Sequence, residues 1–161
     1  MTASRAADLR FIDETLRLAR KAKGRTHPNP MVGAVIVKAD RVVGRGYHHR
    51  AGQPHAEVEA FNSAEDSVAG ATLYVSLEPC SHHGQTPPCA DAIIRAGIKR
   101  VVCCTLDPNP KVNGRGIAKL EKAGIEVTVG LRAKAARALN AEFFERHESK
   151  APRTHRAVVR A

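Results

Sequence analysis

Apolar residues recur along the chain at two spacings, which predict helices alternating with strands. Helical spacing is clearest near the start, where Leu9, Ile12, Leu16 and Ala19 fall on one side of a helix. Short apolar runs bounded by turn residues predict strands instead. The predicted helices cover residues 8–21, 55–64, 89–96, 114–124 and 131–144. The predicted strands cover residues 31–38, 42–48, 71–77, 99–106 and 125–130.

The order of these elements predicts the fold class. Alternating helices and strands favour a sheet with helices packed on both faces. The first two strands are separated only by the short turn at residues 39–41, so they are antiparallel and the sheet is mixed. We therefore expect an α/β protein with three layers, α/β/α, around a central mixed five-stranded sheet. Residues 149–161 have no clear partner, and we expect them to be partly disordered or to form a short terminal strand.

Composition indicates a single domain with an ordinary core. The chain has 161 residues, of which 43% are apolar, and it contains no apolar run long enough to span a bilayer. Residues 1–24 include acidic side chains and lack the apolar centre of a secretory signal, so we expect a cytoplasmic protein. In that compartment the four cysteines are expected to be free thiols, with Cys103 and Cys104 packed in a buried strand.

The positive charge is concentrated at the two ends of the chain. The formal net charge is +10, of which residues 1–25 contribute +4, residues 26–131 contribute +1 and residues 132–161 contribute +5. Solvated helix faces and a basic tail explain most of this excess. Aromatic residues make up only 4% and tryptophan is absent, which argues against a surface for stacking unpaired bases. Nucleic-acid binding is therefore the minor hypothesis.

Two short phrases contain the residue types of a metal site. They are PHAEVEAF, at residues 54–61, and LEPCSHHGQTPPCADAII, at residues 77–94. Cys89 follows two prolines at the predicted start of a helix, where the helix dipole and free N–H groups stabilise a thiolate. With Cys80 and His55 it provides three ligands for tetrahedral zinc, which leaves the fourth position to water. Glu57, on the first turn after His55, is then placed to take and return protons.

Two other interpretations of these residues stay open from the sequence. His82 or His83 could supply a fourth ligand and close a structural Cys₂His₂ site, although such a site has no use for a carboxylate beside its histidine. Alternatively, His55 caps a helix and Glu57 faces water. The order of His-x-Glu, then Pro-Cys after the next strand, then another cysteine argues against that second interpretation.

The same phrases resemble a known family of zinc nucleobase deaminases. Its signature is His-x-Glu followed by Pro-Cys-x-x-Cys, whereas eight residues separate the two cysteines here. Together with PNPMVGAVIV, YVSLEPCSHHGQTPPC, DPNP and NGRGI, they resemble the deaminase domain of the bifunctional riboflavin-biosynthesis deaminase/reductase. The resemblance runs from about residue 27 to residue 140 and implies a cytidine-deaminase-like version of the three-layer fold.

The resemblance also implies a reaction and a set of site residues. The family hydrolyses the ring amine of 2,5-diamino-6-ribosylamino-4(3H)-pyrimidinone 5′-phosphate and releases ammonia. Carried over to this sequence, His55, Cys80 and Cys89 hold Zn²⁺. Glu57 transfers protons. The implied substrate contacts are Asn29, His48, His82, Gln85, Asp107 and Asn109. Gln85 stands where the family usually has lysine or arginine.

Domain limits and partners follow from the same resemblance. It implies a zinc-dependent deaminase domain at residues 1–147 and a basic tail at residues 148–161, with the family's reductase domain absent. A stand-alone deaminase and an excised domain both stay open, and GRG at residues 114–116 lacks a full dinucleotide fingerprint. We expect a pyrimidine nucleotide substrate, a homo-oligomer and no membrane contact, while a separate reductase partner stays open. The competing functions are deamination of another nucleotide, editing of a base in RNA or DNA, and a non-catalytic zinc-stabilised interaction module.

Overall fold

Helices and strands alternate along the chain. The structure is a computed structural model that describes residues 4–84 and 86–149. Within these ranges the helices are α1 (Arg5–Arg20), α2 (Ala56–Ser63), α3 (Cys89–Arg95), α4 (Arg115–Lys122), α5 (Ala133–Leu139) and α6 (Ala141–Glu148). The strands are β1 (Gly33–Lys38), β2 (Arg41–Tyr47), β3 (Thr72–Val75), β4 (Arg100–Cys103) and β5 (Glu126–Val129). Up to β5, the elements agree in type and order with the prediction.

The strands of the described residues form one mixed sheet in the order β2-β1-β3-β4-β5. β1 pairs antiparallel with β2 and with β3, whereas β3, β4 and β5 are parallel. The turn between β1 and β2 has positive φ angles of 50° at Ala39 and 62° at Asp40, the left-handed pair that a two-residue hairpin turn requires. The prediction of a mixed five-stranded sheet is confirmed. Because β3, β4 and β5 are parallel, the loops that follow them leave from the same edge of the sheet.

Side chains alternate between the two faces of the sheet and form two apolar layers. Ile36 and Cys103 point to a face covered by α2, α3 and α4, here called the α2–α4 face. Val35 and Cys104 point to the opposite face, covered by α1 and α5 and here called the α1 face. These side chains are buried, which confirms that both cysteines are core residues. Helices on both sides of the sheet confirm the three-layer α/β/α architecture.

A glycine fixes the position of α2 on the sheet. A Cβ atom at Gly46 in β2 would lie 2.4 Å from the backbone nitrogen of Ala60 and 2.5 Å from the carbonyl oxygen of Ala56. Only glycine allows the helix and strand backbones to approach this closely. The contact holds the start of α2 against the sheet, and with it the segment that contains His55 and Glu57.

A buried ion pair fastens α1 to the sheet. Both carboxylate oxygens of Asp8 accept hydrogen bonds from the guanidinium group of Arg100 in β4, at 2.9 and 2.7 Å. The hydroxyl of Tyr74 in β3 donates to the same carboxylate at 2.6 Å. Burial raises the pKa of Asp8, but the hydrogen bonds from Arg100 and Tyr74 outweigh burial and hold that pKa below its ordinary value. Asp8 is therefore charged in the folded protein.

The C-terminal helical segment departs from the prediction. The sequence predicts one helix over residues 131–144, whereas the structure has α5 and α6, separated at Asn140. Asn140 has φ −116° and ψ 39°, outside the helical region. Its side-chain amide accepts from the N–H of Met31 and donates to the carbonyl of Met31, both at 2.8 Å. The prediction of one helix is wrong because this pairing with a residue distant in sequence interrupts the helix.

The end of the described chain can be compared with the predicted domain boundary and the predicted basic tail. The predicted domain boundary at residue 147 falls within the last turn of α6, which ends at Glu148. Residues 150–161, which make up most of the predicted tail, lie outside the described residues. In the ranges 4–84 and 86–149, no helix is long and apolar enough to cross a bilayer.

Candidate metal centre and active site

Three metal-ligating side chains meet beside the starts of α2 and α3. His55 immediately precedes α2, Cys80 follows β3, and Cys89 is the first residue of α3. His55 Nδ1 lies 3.3 Å from Cys89 Sγ and 3.8 Å from Cys80 Sγ. All three ligating atoms lie within 4.8 Å of one another. The fold thus brings together the residues that the sequence predicts as zinc ligands.

Backbone hydrogen bonds hold the two cysteines together despite the long loop between them. The N–H of Cys89 donates to Cys80 Sγ at 3.2 Å, and the N–H of Ala90 donates to the carbonyl oxygen of Cys80 at 3.0 Å. Pro88 precedes α3 in an extended conformation, with φ −61° and ψ 132°, and so directs the chain into the helix. The first turn of α3 therefore presents its N–H groups to Cys80.

The spacing of the three donors fits a tetrahedral zinc ion. Zn–S distances of about 2.3 Å and Zn–N distances of about 2.1 Å place neighbouring donors roughly 3.6–3.8 Å apart. The distances of 3.3 and 3.8 Å from His55 to the two sulfurs are close to that spacing. Two thiols and one imidazole are also a donor set that suits zinc. Neither His82 nor His83, both described and exposed, joins the cluster, which argues against a closed Cys₂His₂ site.

The two thiols of the cluster differ in their affinity for a proton. Hydrogen bonds with Cys89 and His55 outweigh burial and lower the pKa of Cys80 to about 4. The hydrogen bond with Cys80, together with burial, raises the pKa of Cys89. The N–H of Cys89, which donates to Cys80 Sγ, favours the thiolate at Cys80 over the thiolate at Cys89. A divalent cation favours thiolate at both positions, so we expect metal binding to release a proton from Cys89.

Glu57 lies on the first turn of α2 and is buried beside the three ligands. Only 4% of the residue is exposed, which excludes the interpretation in which it faces water. Burial raises the pKa of Glu57, while the charge of His55 opposes that rise. The carboxyl also interacts with the thiol of Cys89. The His55 side chain makes no capping hydrogen bond, so a simple capping role does not explain it either.

The candidate metal centre opens onto a cavity of about 260 Å³, which His55, Glu57 and Cys80 line. This volume is close to the lower end for small-molecule sites, about 300 Å³. Five of the predicted substrate contacts line the same cavity, namely Asn29, His48, His82, Asp107 and Asn109. The remaining one, Gln85, lies outside the described residues.

Asn29 and His48 form a hydrogen-bonded pair that orients the Asn29 amide. His48 Nδ1 lies 3.0 Å from the carbonyl oxygen of Pro54, which can only accept, so Nδ1 carries the proton. Burial lowers the pKa of His48, and the neutral ring has an acceptor at Nε2. Asn29 Nδ2 lies 3.2 Å from Nε2 and donates to it. The Oδ1 atom of Asn29 is then the amide atom available to a ligand.

The DPNP segment forms an ordered turn at the cavity. The N–H of Asn109 donates to Asp107 Oδ1 at 2.8 Å, and the N–H of Lys111 donates to Asn109 Oδ1 at 3.0 Å. The side-chain amide of Asn113 donates to the backbone carbonyl of Asp107 at 2.9 Å. Burial raises the pKa of Asp107 to about 7. The turn therefore holds a buried carboxyl group at the surface of the cavity.

Sequence reasoning gave no role to several residues that line the cavity, and Phe143 and Glu78 are two of them. Phe143 in α6 provides an aromatic wall, and no local signal distinguishes it from an ordinary helix residue. Glu78 is 4% exposed and accepts hydrogen bonds from several backbone N–H groups. Its place directly before Pro79 and Cys80 is the signal that could have indicated a role near the metal ligands.

Comparison with known proteins identifies the family. The family model described as the cytidine and deoxycytidylate deaminase zinc-binding region matches residues 5–105, a range that includes Glu57 and the three candidate ligands. The chain belongs to this deaminase family. The resemblance drawn from the sequence motifs is thereby confirmed.

Relatives of this deaminase chain include proteins named for riboflavin biosynthesis. The riboflavin biosynthesis protein RibD of Aquifex aeolicus is 59% identical over 140 residues, which cover 87% of this chain and 39% of that protein. The diaminohydroxyphosphoribosylamino-pyrimidine deaminase of Buchnera aphidicola subsp. Schizaphis graminum is 45% identical over 142 residues. That match covers 88% of this chain and 97% of the relative. Within the deaminase family, the chain therefore groups with the diaminohydroxyphosphoribosylaminopyrimidine deaminases.

A solved structure shares the fold of this deaminase chain. Acinetobacter baumannii RibD, form 1, gives a TM-score of 0.87 at 45% identity, covering 91% of this chain and 41% of that one. This similarity confirms the predicted cytidine-deaminase-like fold. The chain spans about two fifths of the length of the RibD relatives it matches.

Proposed function

We propose that this chain is a zinc-dependent hydrolytic deaminase of 2,5-diamino-6-ribosylamino-4(3H)-pyrimidinone 5′-phosphate, with ammonia as a product. The observation that carries the proposal is the burial of Glu57 beside the cluster of one histidine and two cysteines, at the wall of a single cavity. Family membership supports the type of reaction. The name of the Buchnera aphidicola relative, which the chain matches over nearly its whole length, supports the substrate.

The proposed metal ligands are His55, Cys80 and Cys89. They would hold zinc through one nitrogen and two sulfurs and leave the fourth position for water. Zinc, when bound, lowers the pKa of a coordinated water to about 7 and so supplies a nucleophile at neutral pH. The low pKa of Cys80 favours a thiolate there before zinc binds, and the N–H of Cys89 orients that sulfur.

Glu57 is proposed to move the protons that the reaction requires. Hydrolytic deamination forms a bond between the water oxygen and the ring carbon that bears the amine, and it breaks the bond from that carbon to the amine nitrogen. One proton of the water moves to the adjacent ring nitrogen, and the other leaves with ammonia. A carboxyl group whose pKa is raised by burial holds a proton more readily than an exposed one, which suits a group that must take up and return protons.

Substrate recognition is proposed for the residues that line the rest of the cavity. The hydrogen bond with His48 turns the Asn29 amide so that Oδ1 can accept from a hydroxyl or amino group of the substrate. In this assignment His48 acts through Asn29. His82, Asp107 and Asn109 would provide further polar contacts around the ring and sugar. Gln85 would contribute a neutral hydrogen-bonding group in place of a cation.

The test is ammonia release by the purified chain from the riboflavin-pathway pyrimidine, compared with cytidine, guanine, dCMP and a tRNA. We expect turnover of the pyrimidine nucleotide that stops when a chelator removes zinc and returns when zinc is added. Deamination of the tRNA with a steep dependence on salt would favour the nucleic-acid alternative instead. A zinc-loaded chain that releases no ammonia from the pyrimidine nucleotide would contradict the proposal.

A further inference from the structure

The segment Gly114-Arg115-Gly116 has no role in the proposed reaction, yet it forms a distinctive start to α4. The helix begins at Arg115, and the preceding Gly114 has φ +76° and no side chain that could cap the helix. The first N–H groups of a helix need acceptors from outside the helix. Here the acceptor is Glu78, which lies 36 residues before Gly114 in the chain.

Glu78 places both carboxylate oxygens beneath the first turn of α4. Oε1 accepts from the N–H of Gly114 at 3.0 Å, and Oε2 accepts from the N–H groups of Gly116 and Ile117 at 3.0 and 3.2 Å. Oε1 also accepts from the N–H of Asp107 at 3.1 Å. Each oxygen thus receives two donors, and the positive end of the helix favours the negative charge of the carboxylate.

The backbone around Glu78 touches the same helical turn. A Cβ atom at Gly116 would lie 1.9 Å from the carbonyl oxygen of Pro79 and 3.3 Å from Glu78 Cγ. Only glycine permits this approach. On the other side, the N–H of Glu78 donates to the carbonyl of Thr105 at 3.0 Å. The chain at Glu78 and Pro79 is therefore held between α4 and the segment that follows β4.

We propose that Glu78 is a positioning residue that sets the metal-binding loop and the substrate-binding turn relative to each other. Glu78 lies two residues before Cys80, and its carboxylate binds the N–H of Asp107 at the cavity. The position of the Cys80 sulfur and the position of the turn at Asp107 therefore both depend on the buried carboxylate of Glu78. This inference rests on the proposed function for the roles of Cys80 and Asp107.

Glu78→Gln is the sharpest test, because it keeps the size of the side chain and replaces one oxygen with an NH₂ group. That group cannot accept the two N–H donors that the lost oxygen binds. Because buried donors without an acceptor are costly, we expect the KM for the pyrimidine nucleotide to rise about tenfold or more, with a smaller fall in kcat. We also expect zinc to be released to a chelator about tenfold faster or more, for the same reason.

A second variant tests the same contact from the other side. Gly116→Ala adds a Cβ against Pro79 without altering the carboxylate, and we expect KM and zinc release to shift in the same direction as in Glu78→Gln. Lys119→Gln is the matched control, because it removes the ion pair between α4 and Asp91 but leaves the first turn of α4 intact. The control is expected to keep the wild-type KM and rate of zinc release.

The KM and the rate of zinc release together distinguish a positioning role of Glu78 from a purely structural one. If zinc-loaded Glu78→Gln and Gly116→Ala unfold at lower temperature but keep the wild-type KM and zinc release, the inference is wrong. If Glu78→Gln does not fold, Gly116→Ala decides the question by the same two measurements. If the wild-type chain releases no ammonia, the proposed function fails, and the rate of zinc release still shows whether Glu78 holds the Cys80 loop.

Discussion

The two faces of the sheet each bury an acid, and the surroundings of the two acids differ. On the α1 face, Arg100 and Tyr74 bond to Asp8 and hold its pKa below the ordinary value despite burial. On the α2–α4 face, burial raises the pKa of Glu57, which lies beside two thiols and an imidazole. Asp8 is 5% exposed and Glu57 is 4% exposed, yet their pKa values shift in opposite directions, because Glu57 lies deeper in the protein whereas a cation and a hydroxyl bond to Asp8.

The different surroundings of the two acids indicate a stabilising role for Asp8 and a chemical role for Glu57. A carboxylate that is bonded to a cation and a hydroxyl keeps its charge and fastens a helix, whereas a carboxyl with a raised pKa can exchange a proton. Burial of an acid is therefore not by itself a sign of catalysis, because its partners decide what it does. We expect substitutions in the α1-face network to change the free energy of unfolding and those around Glu57 to change turnover.

The largest effect is expected from Cys80→Ser, which removes a proposed zinc ligand from the α2–α4 face. A serine hydroxyl is not a thiolate, so bound zinc and ammonia release should both be lost. Cys104→Ala, on the α1 face, is the matched control, and it should keep its zinc while losing about 1 kcal/mol of stability. Metal analysis of the purified proteins makes the comparison. Equal zinc content in Cys80→Ser and wild type would contradict the ligand assignment.

Glu57→Gln should give the next largest effect, and it should affect turnover alone. Loss of a proton-transferring group lowers the rate of ammonia release by about 10²–10⁴-fold. Zinc content and the unfolding temperature should stay at their wild-type values, since the amide keeps the size of the side chain. Glu65→Gln makes the same chemical change at an exposed position and should leave turnover unchanged. Normal ammonia release by the Glu57 variant would exclude the proposed mechanism.

Arg100→Met tests the α1 face, where we expect a change in stability and not in turnover. It leaves the Asp8 carboxylate buried without its cation, which we expect to lower the free energy of unfolding by about 3–5 kcal/mol. Arg45→Met is the matched control, because it breaks the more exposed ion pair between β2 and Glu14 of α1. That change should cost less than about 1 kcal/mol. Denaturant titration measures both variants, and equal losses would show that burial of the Asp8 pair does not matter.

The smallest expected effect concerns pH. Asp8 should make the free energy of unfolding depend on pH in the acidic range. Because the folded-state pKa of Asp8 is depressed, its contribution is fully present above the unfolded-state pKa, about 4, and is lost as pH falls through the folded-state value. The difference in the free energy of unfolding between wild type and Asp8→Asn should therefore narrow as the pH is lowered below about 4. A difference that stays constant from neutral to acidic pH would contradict the assignment.

The candidate metal cluster could be predicted because each of its residues carries a local signal. His55 directly precedes an apolar helical pattern, and Cys80 and Cys89 lie beside prolines at the ends of a strand and a helix. Periodicity is likewise a local property, so the order of helices and strands followed from it. The long loop between the cysteines made the family recognisable from the sequence alone.

The residues that were missed act through contacts between distant parts of the chain. The sequence around Asn140 contains good helix formers on both sides, and the interruption arises from its bond to Met31. Glu78 has one local signal, its place directly before Pro79 and Cys80, but that signal does not indicate what its carboxylate binds. Its four hydrogen bonds exist only because the fold places the start of α4 and the turn at Asp107 above it.

The bond between Asn140 and Met31 couples the last described helix to the region of the first strand. Asn140 directly precedes α6, which brings Phe143 to the cavity wall, and Met31 lies two residues before β1. The place of that aromatic wall therefore depends on a contact between segments more than a hundred residues apart.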